Sequence, residues 1–190
     1  MDVIKLINDQ LTNPDTLRKL GQTVGAQPDQ VQKVAQIGLP ALLKALGNNA
    51  GTSDGANALA GALDQHKDDN VEDMDGFLNN VNQNDGSKIL QHIFAGKTDT
   101  LQNNLARQSG LQTDQVSGLM SMLAPLLLGA LGKQKNEQNI GASGISDMLS
   151  GVMGQASNKG LMGMVTNFLD SDKDGDIMDD VGKLLKGFMK

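Results

Sequence analysis

The sequence contains no cysteine, tryptophan or tyrosine, and its only aromatic rings outside histidine are Phe77, Phe94, Phe168 and Phe188. Without cysteine there are no disulfides, thiolate metal sites or cysteine nucleophiles, and the redox compartment is left undetermined. With so few aromatics the core must be aliphatic, built from Leu, Ile, Val, Ala and ten Met. That palette favours helices over strands. No stretch alternates polar and apolar residues over a strand's length, so an all-α, multihelical fold is expected. Basic charge is also scarce, with 16 Lys and Arg against 22 Asp and Glu for a net charge of −6. This balance favours solubility and disfavours nucleic acid or an anionic membrane as partner.

A long uninterrupted apolar run is missing as well. Leu119 to Leu131 is almost wholly apolar, but Pro125 interrupts it, and a hydrocarbon core needs about 20 residues. No transmembrane segment is expected, and the stretch reads as a buried central helix pair ahead of a subunit interface or membrane-surface contact. Met1 to Leu11 carries Asp2, Lys5 and Asp9 within a helical pattern and lacks the basic start, apolar run and small-residue cleavage site of a signal peptide. The expected location is cytoplasmic, with non-classical export left open.

What the sequence does have is a repeat. GAQPDQVQKVAQIGLPALLKALG, Gly25 to Gly47, aligns without gaps to GLQTDQVSGLMSMLAPLLLGALG, Gly110 to Gly132. Gly25 matches Gly110, Asp29 matches Asp114, Val31 matches Val116, Pro40 matches Pro125, and Leu42 and Leu43 match Leu127 and Leu128. Each copy reads as helix, tight turn, helix, then a second short helix opening at the proline, because proline suits a first helical turn and breaks an interior one. Asn13 before Pro14, and Thr98, are expected N-caps, and Gln27 before Pro28, and Thr113, open the next helices. Other helices are expected over Val3 to Leu11, Leu17 to Val24, Ala56 to Leu63, Val71 to Asn79, Ser87 to Phe94, Leu101 to Ser109, Ser146 to Gln155, Leu161 to Leu169 and Ile177 to Phe188. Linkers rich in Gly, Asn and Ser are expected at Gly47 to Gly55, Asn80 to Gly86, Lys133 to Gly144 and Ala156 to Gly160. The division expected is 1–79 and 80–160 for the two repeat regions, and 161–190 for a C-terminal helix-loop-helix.

The most specific local motif is DSDKDGDIMDD, Asp170 to Asp180, which resembles an EF-hand or dockerin-type calcium loop. Asp170, Asp172 and Asp174 occupy loop positions 1, 3 and 5, and Gly175 occupies the sharp-turn position 6, so alternate carboxylates converge on one hard cation. Asp176 at position 7 would contribute its backbone carbonyl. Position 12, usually a bidentate Glu, is Val181, and the nearest carboxylates are Asp179 and Asp180. Weak affinity, roughly 10⁻⁵ to 10⁻³ M, is therefore expected if calcium binds. The competing reading is an acidic helix start facing the positive end of the helix dipole.

Other motifs carry less. Gly21, Gly25 and Val31, and Ala106, Gly110 and Val116, follow helix-turn-helix spacing, but the second helix offers only Lys33 in the first copy and no basic residue in DQVSGLMSML of the second. A packing unit is expected rather than a DNA reader. His66 and His92 are far apart in sequence and outside zinc spacing, and are expected on helix faces or the surface. DQHKDDNVEDMD, Asp64 to Asp75, reads as a solvated acidic face or loop. Ser109 and Ser143 sit beside glycine without a nucleophile-elbow pattern, and no phosphate-cradling Gly-Lys-Ser or Gly-Lys-Thr loop occurs, so no enzyme is expected.

The proline-centred repeat, together with GSKILQHIFAGK from Gly86 to Lys97, NLARQSGLQTDQV and APLLLGALGKQ, resembles the YidB-like bacterial family, domain of unknown function 937. The terminal FLDSDKDGDIMDDVGKLL resembles the Asp-rich tail that many members carry. The resemblance implies a multihelical fold and an uncharacterised function, with no catalytic residues to carry across. The function expected is thus a non-enzymatic helical protein that binds calcium through Asp170, Asp172, Asp174, Asp176 and Asp179 or Asp180. It would act through a protein partner or self-association, by way of its Met-rich helices.

Overall fold

The computed structural model describes residues 2–94 and 96–158, and within them finds nine α-helices, one 3₁₀ turn and no strand. The helices are α1 (Val3–Thr12), α2 (Pro14–Val24), α3 (Pro28–Asn49), α4 (Ser53–His66), α5 (Met74–Asn80), α6 (Gln83–Phe94), α7 (Thr98–Ser109), α8 (Thr113–Glu137) and α9 (Ile145–Asn158), with the turn at Ala142–Gly144. The all-α expectation holds for these residues. The expected segments Leu161 to Leu169 and Ile177 to Phe188 lie outside them.

One aliphatic core contains residues from both repeats, extending from Val3 to Ala156. At its centre is α8, where every residue from Leu119 to Gly132 is buried. A helix apolar on all faces has to be enclosed on all faces, and α1, α2, α3, α4, α6 and α7 all pack against it. Each Leu buried this way contributes about 1.5–3 kcal/mol. Met120 and Met122 are buried in α8 and Met148 in α9, so these methionines fill the core and present no plastic contact surface.

The proline breaks expected at Pro40 and Pro125 are absent, because α3 and α8 each run straight through them. An interior proline removes one intrahelical hydrogen bond and crowds the carbonyl four residues earlier, a local cost that enclosure by neighbouring helices outweighs. Pro125 leaves the Ser121 carbonyl without its amide partner in the next turn. Gly86 of α6 lies against that carbonyl, where any Cβ would overlap it, and Ser87 Oγ and Ser121 Oγ hydrogen-bond at 2.9 Å beside it. The linkers shrink accordingly, since α3 continues to Asn49 and α8 to Glu137. With α8 unbroken at Pro125, its apolar run belongs to a helix of 25 residues. Thr113–Glu137 is the one helix among the described residues long and apolar enough to cross a membrane, and 83% of its most apolar window is buried within the fold.

The two repeated stretches take the same local structure. Gly25 and Gly110 end α2 and α7 in the left-handed conformation, both at φ 73°, which glycine adopts without strain. Gln27 and Gln112 then occupy the N-caps of α3 and α8. The backbone N–H of Gln27 donates to Gln30 Oε1 at 3.0 Å, and that of Gln112 to Gln115 Oε1 at 3.0 Å. The other end of each glutamine crosses to the opposite copy. Gln30 Nε2 donates to the carbonyls of Ser109 and Gly110, both at 3.4 Å, and Gln115 Nε2 to those of Val24 and Gly25 at 3.1 and 2.7 Å. A single side chain thus satisfies an orphan N–H at its own helix start and orphan C=O groups at the other copy's helix end. Nearby, α3 and α8 cross with unequal partners, and Gly38 lies so close to Met120 that a Cβ would sit 2.6 Å from its sulfur.

Of the two expected N-caps, Asn13 and Thr98, one holds and one is displaced. Asn13 caps α2 as expected, its Oδ1 accepting from the amides of Asp15 and Thr16. Thr98, in contrast, is the first residue of α7, after Lys97 as N-cap. Its hydroxyl donates instead to the Leu90 carbonyl at 3.2 Å, tying α7 to α6.

Removing either crossing glutamine should lower stability. Gln30→Ala and Gln115→Ala are each expected to cost about 1–2 kcal/mol in urea unfolding. Gln115→Glu keeps the capping oxygen but loses the donor and sets a carboxylate against two carbonyls, so it should be no more stable than Gln115→Ala. A Gln115→Glu protein as stable as the parent would contradict the crossing bond. In the same assay Gly86→Ala should cost at least about 2 kcal/mol by forcing α6 off α8. Gly151→Ala, with no atom of the described residues within 4 Å of the added methyl, should instead stabilise by up to about 1 kcal/mol.

Candidate functional site

The expected calcium ligands Asp170, Asp172, Asp174, Asp176, Asp179 and Asp180 lie outside the described residues. Among the described residues no group of three or more His, Asp or Glu side chains is placed to hold a metal ion. Candidate chemistry there centres instead on the junction of α4, α5 and α6.

The acidic Asp64 to Asp75 segment is more than a solvated face. Asp64 accepts from Lys135 Nζ at 2.6 Å and Glu72 from Lys133 Nζ at 2.7 Å, both from the end of α8, and Asp75 pairs with Lys19 of α2. Lys133 and Lys135 sit near the negative end of the α8 dipole, where cations are favoured. Asp73 caps α5, accepting from the Gly76 amide at 3.1 Å. As half-exposed pairs these contacts contribute little individually, but together they fix the path of the chain from α4 to α5.

His66, at the end of α4, is 14% exposed in its side chain and lies between two carboxylates. Its Nδ1 meets Asp69 Oδ2 at 2.8 Å, and its Nε2 faces Asp85 Oδ2 of α6 at 3.8 Å. A histidine oriented by a carboxylate is a familiar part of hydrolytic sites, but there the second nitrogen faces a nucleophile's hydroxyl. Here it faces a second acid, and the arrangement ties α4 to α6. Ser109, noted for its glycine neighbour, is 5% exposed and donates to the Leu105 carbonyl at 2.7 Å, a bond internal to α7.

Two cavities meet at His66. One of about 680 Å³ is polar and acidic, bordered by Asp68, Asp69, Asp73, Asn80 and Asp85. The other, about 730 Å³, is a trough between α4 and α6 floored by Leu46 and Leu128. Both histidines border the trough, so the fold brings His66 and His92 to one cleft although they are distant in sequence. Helical phase alone places Lys88 and His92 one turn apart on a single face of α6. The face of α4 opposite it required the tertiary fold.

No curated protein and no solved structure matches the chain. A family described as "Bacterial protein of unknown function (DUF937)" matches residues 5–134, which contain both repeated stretches and end before the Asp-rich loop. That match covers well over half of the chain, and the chain belongs to this bacterial family of unknown function.

Proposed function

We propose that the chain is a non-enzymatic helical protein that binds calcium through its C-terminal Asp-rich loop and acts through contact with a protein partner or a second copy of itself. The observation that carries the proposal is the spacing of Asp170, Asp172 and Asp174 with Gly175 following. That pattern brings alternating carboxylates around a sharp turn onto one hard cation. Six aspartates with one lysine, Lys173, between Asp170 and Asp180 also repel one another strongly when no cation offsets them. Asp176 enters through its carbonyl, and Asp179 or Asp180 stands in for the acid that Val181 does not provide.

The repeated stretches are read as an internal duplication of a helix-turn-helix-like packing unit. The crossing of Gln30 and Gln115, each to the equivalent carbonyls of the other copy, supports that reading. The burial of Met120 and Met122 removes them as contact residues, so partner contact is assigned to surfaces other than the buried face of α8. A structural or oligomerisation module without ion binding is the second reading. A DNA-binding role is disfavoured by the burial of Val34, Ala35, Leu42 and Leu46 along the second helix of the first copy and by that of α8 in the second.

Titration of the full chain with calcium by calorimetry tests the proposal. Binding is expected in the roughly 10⁻⁵ to 10⁻³ M range, weaker for magnesium and abolished by Asp172→Ala with Asp174→Ala. At 100 times the dissociation constant, a ligand held only by the folded state adds about 2.7 kcal/mol of stability, readable as a rise in Tm over chelator. Calcium binding unchanged in the double variant would refute the loop as the site.

A further inference from the structure

Helices α4 and α6 run antiparallel beside the trough, with His66 near Asp85 at one end and Asn49 bonded to the Ile93 carbonyl at 3.1 Å at the other. At about 730 Å³ it falls within the range of small-molecule sites. Leu46, Leu59, Ile93 and Leu128 make its inner surface, and Ala58 and Ala62 keep the α4 wall low. Among the described residues no Phe borders it to offer a flat apolar ring for stacking, and no Arg supplies a planar fork for bidentate recognition.

The two ends differ in charge. At the His66 end stand Asp85 and, beyond it, Asp69. One and two turns further along α6 from Asp85, Lys88 and His92 both border the trough and are exposed. Neither has a hydrogen bond or ion pair among the described residues. Lys19, Lys133 and Lys135, by contrast, are each committed to an acid. An anion is therefore repelled at the His66 end and met further along α6 by an ammonium and an imidazole. The aliphatic floor of Leu46, Leu59, Ile93 and Leu128 suits an alkyl chain.

We propose that this trough binds a single acyl chain with an anionic head group, the chain lying on Leu46, Leu59, Ile93 and Leu128 and the head meeting Lys88 and His92. The ligand probes are palmitate, palmitoyl lysophosphatidate and the uncharged palmityl alcohol. Each is titrated into the full-length protein below its aggregation threshold and followed by calorimetry and native mass spectrometry. The expected result is one-to-one binding of at least one anion, with the alcohol weaker by roughly fivefold or more. The stronger of the two anions identifies carboxylate or phosphate as the head. Lys88→Glu with His92→Glu, both at exposed positions, should weaken the anions by roughly tenfold and leave the alcohol unchanged. Ala62→Phe, with its helix content checked, should remove binding of all three. The proposal is overturned if neither anion binds one-to-one, if the alcohol matches the anions, or if the Lys88 and His92 variant binds as the parent does. Binding that survives in a folded Ala62→Phe protein overturns it equally.

Discussion

The enclosure of α8 is the constraint on which the rest of the structure depends. From Leu119 to Gly132 it has no solvent face, so other helices must cover its whole circumference. That demand explains several features that look unrelated along the chain. Gly86 has no side chain because α6 comes down onto the Ser121 carbonyl, and Gly132 none because the Leu63 carbonyl of α4 presses against it. Small residues on α3 receive the larger ones of α8, with Gly38 under Met120. At the end of α8 the character changes, and Lys133 and Lys135 reach outward to Glu72 and Asp64.

The crossing glutamines solve a second problem, the orphan groups at the helix ends of the two turns. Each copy's turn leaves carbonyls at the end of one helix and amide groups at the start of the next. Gln30 and Gln115 connect these across the copies through both ends of the same amide. The result is a reciprocal contact that ties the two turns together. The asymmetry lies elsewhere: α8 is buried on every face from Leu119 to Gly132, whereas α3 leaves Lys33 exposed and Gln36 and Lys44 half-buried.

The sequence made the helical class legible because its palette is aliphatic and its periodicity helical, and the repeat was legible because Gly25 to Gly47 and Gly110 to Gly132 align without gaps. The prolines misled. Read locally, Pro40 and Pro125 end helices, and only the surrounding helices make continuation the lower-energy choice, a tertiary effect that no local rule carries. Gln30 and Gln115 were visible as matched positions, but their partners lie across the fold. The acids of Asp64 to Asp75 read as solvated because their cations, Lys19, Lys133 and Lys135, are distant in sequence. The cleft shared by His66 and His92 was hidden for the same reason.

Native-state hydrogen exchange, read residue by residue, tests the central claim most directly. If α8 is the enclosed axis, amides from Leu119 to Leu131 exchange only through global unfolding and are the slowest in the protein, slower than those of α5 and α9. Amides of α8 that exchange by local opening, as readily as those of the outer helices, would contradict the account and turn its apolar surface into one that a partner or a membrane covers.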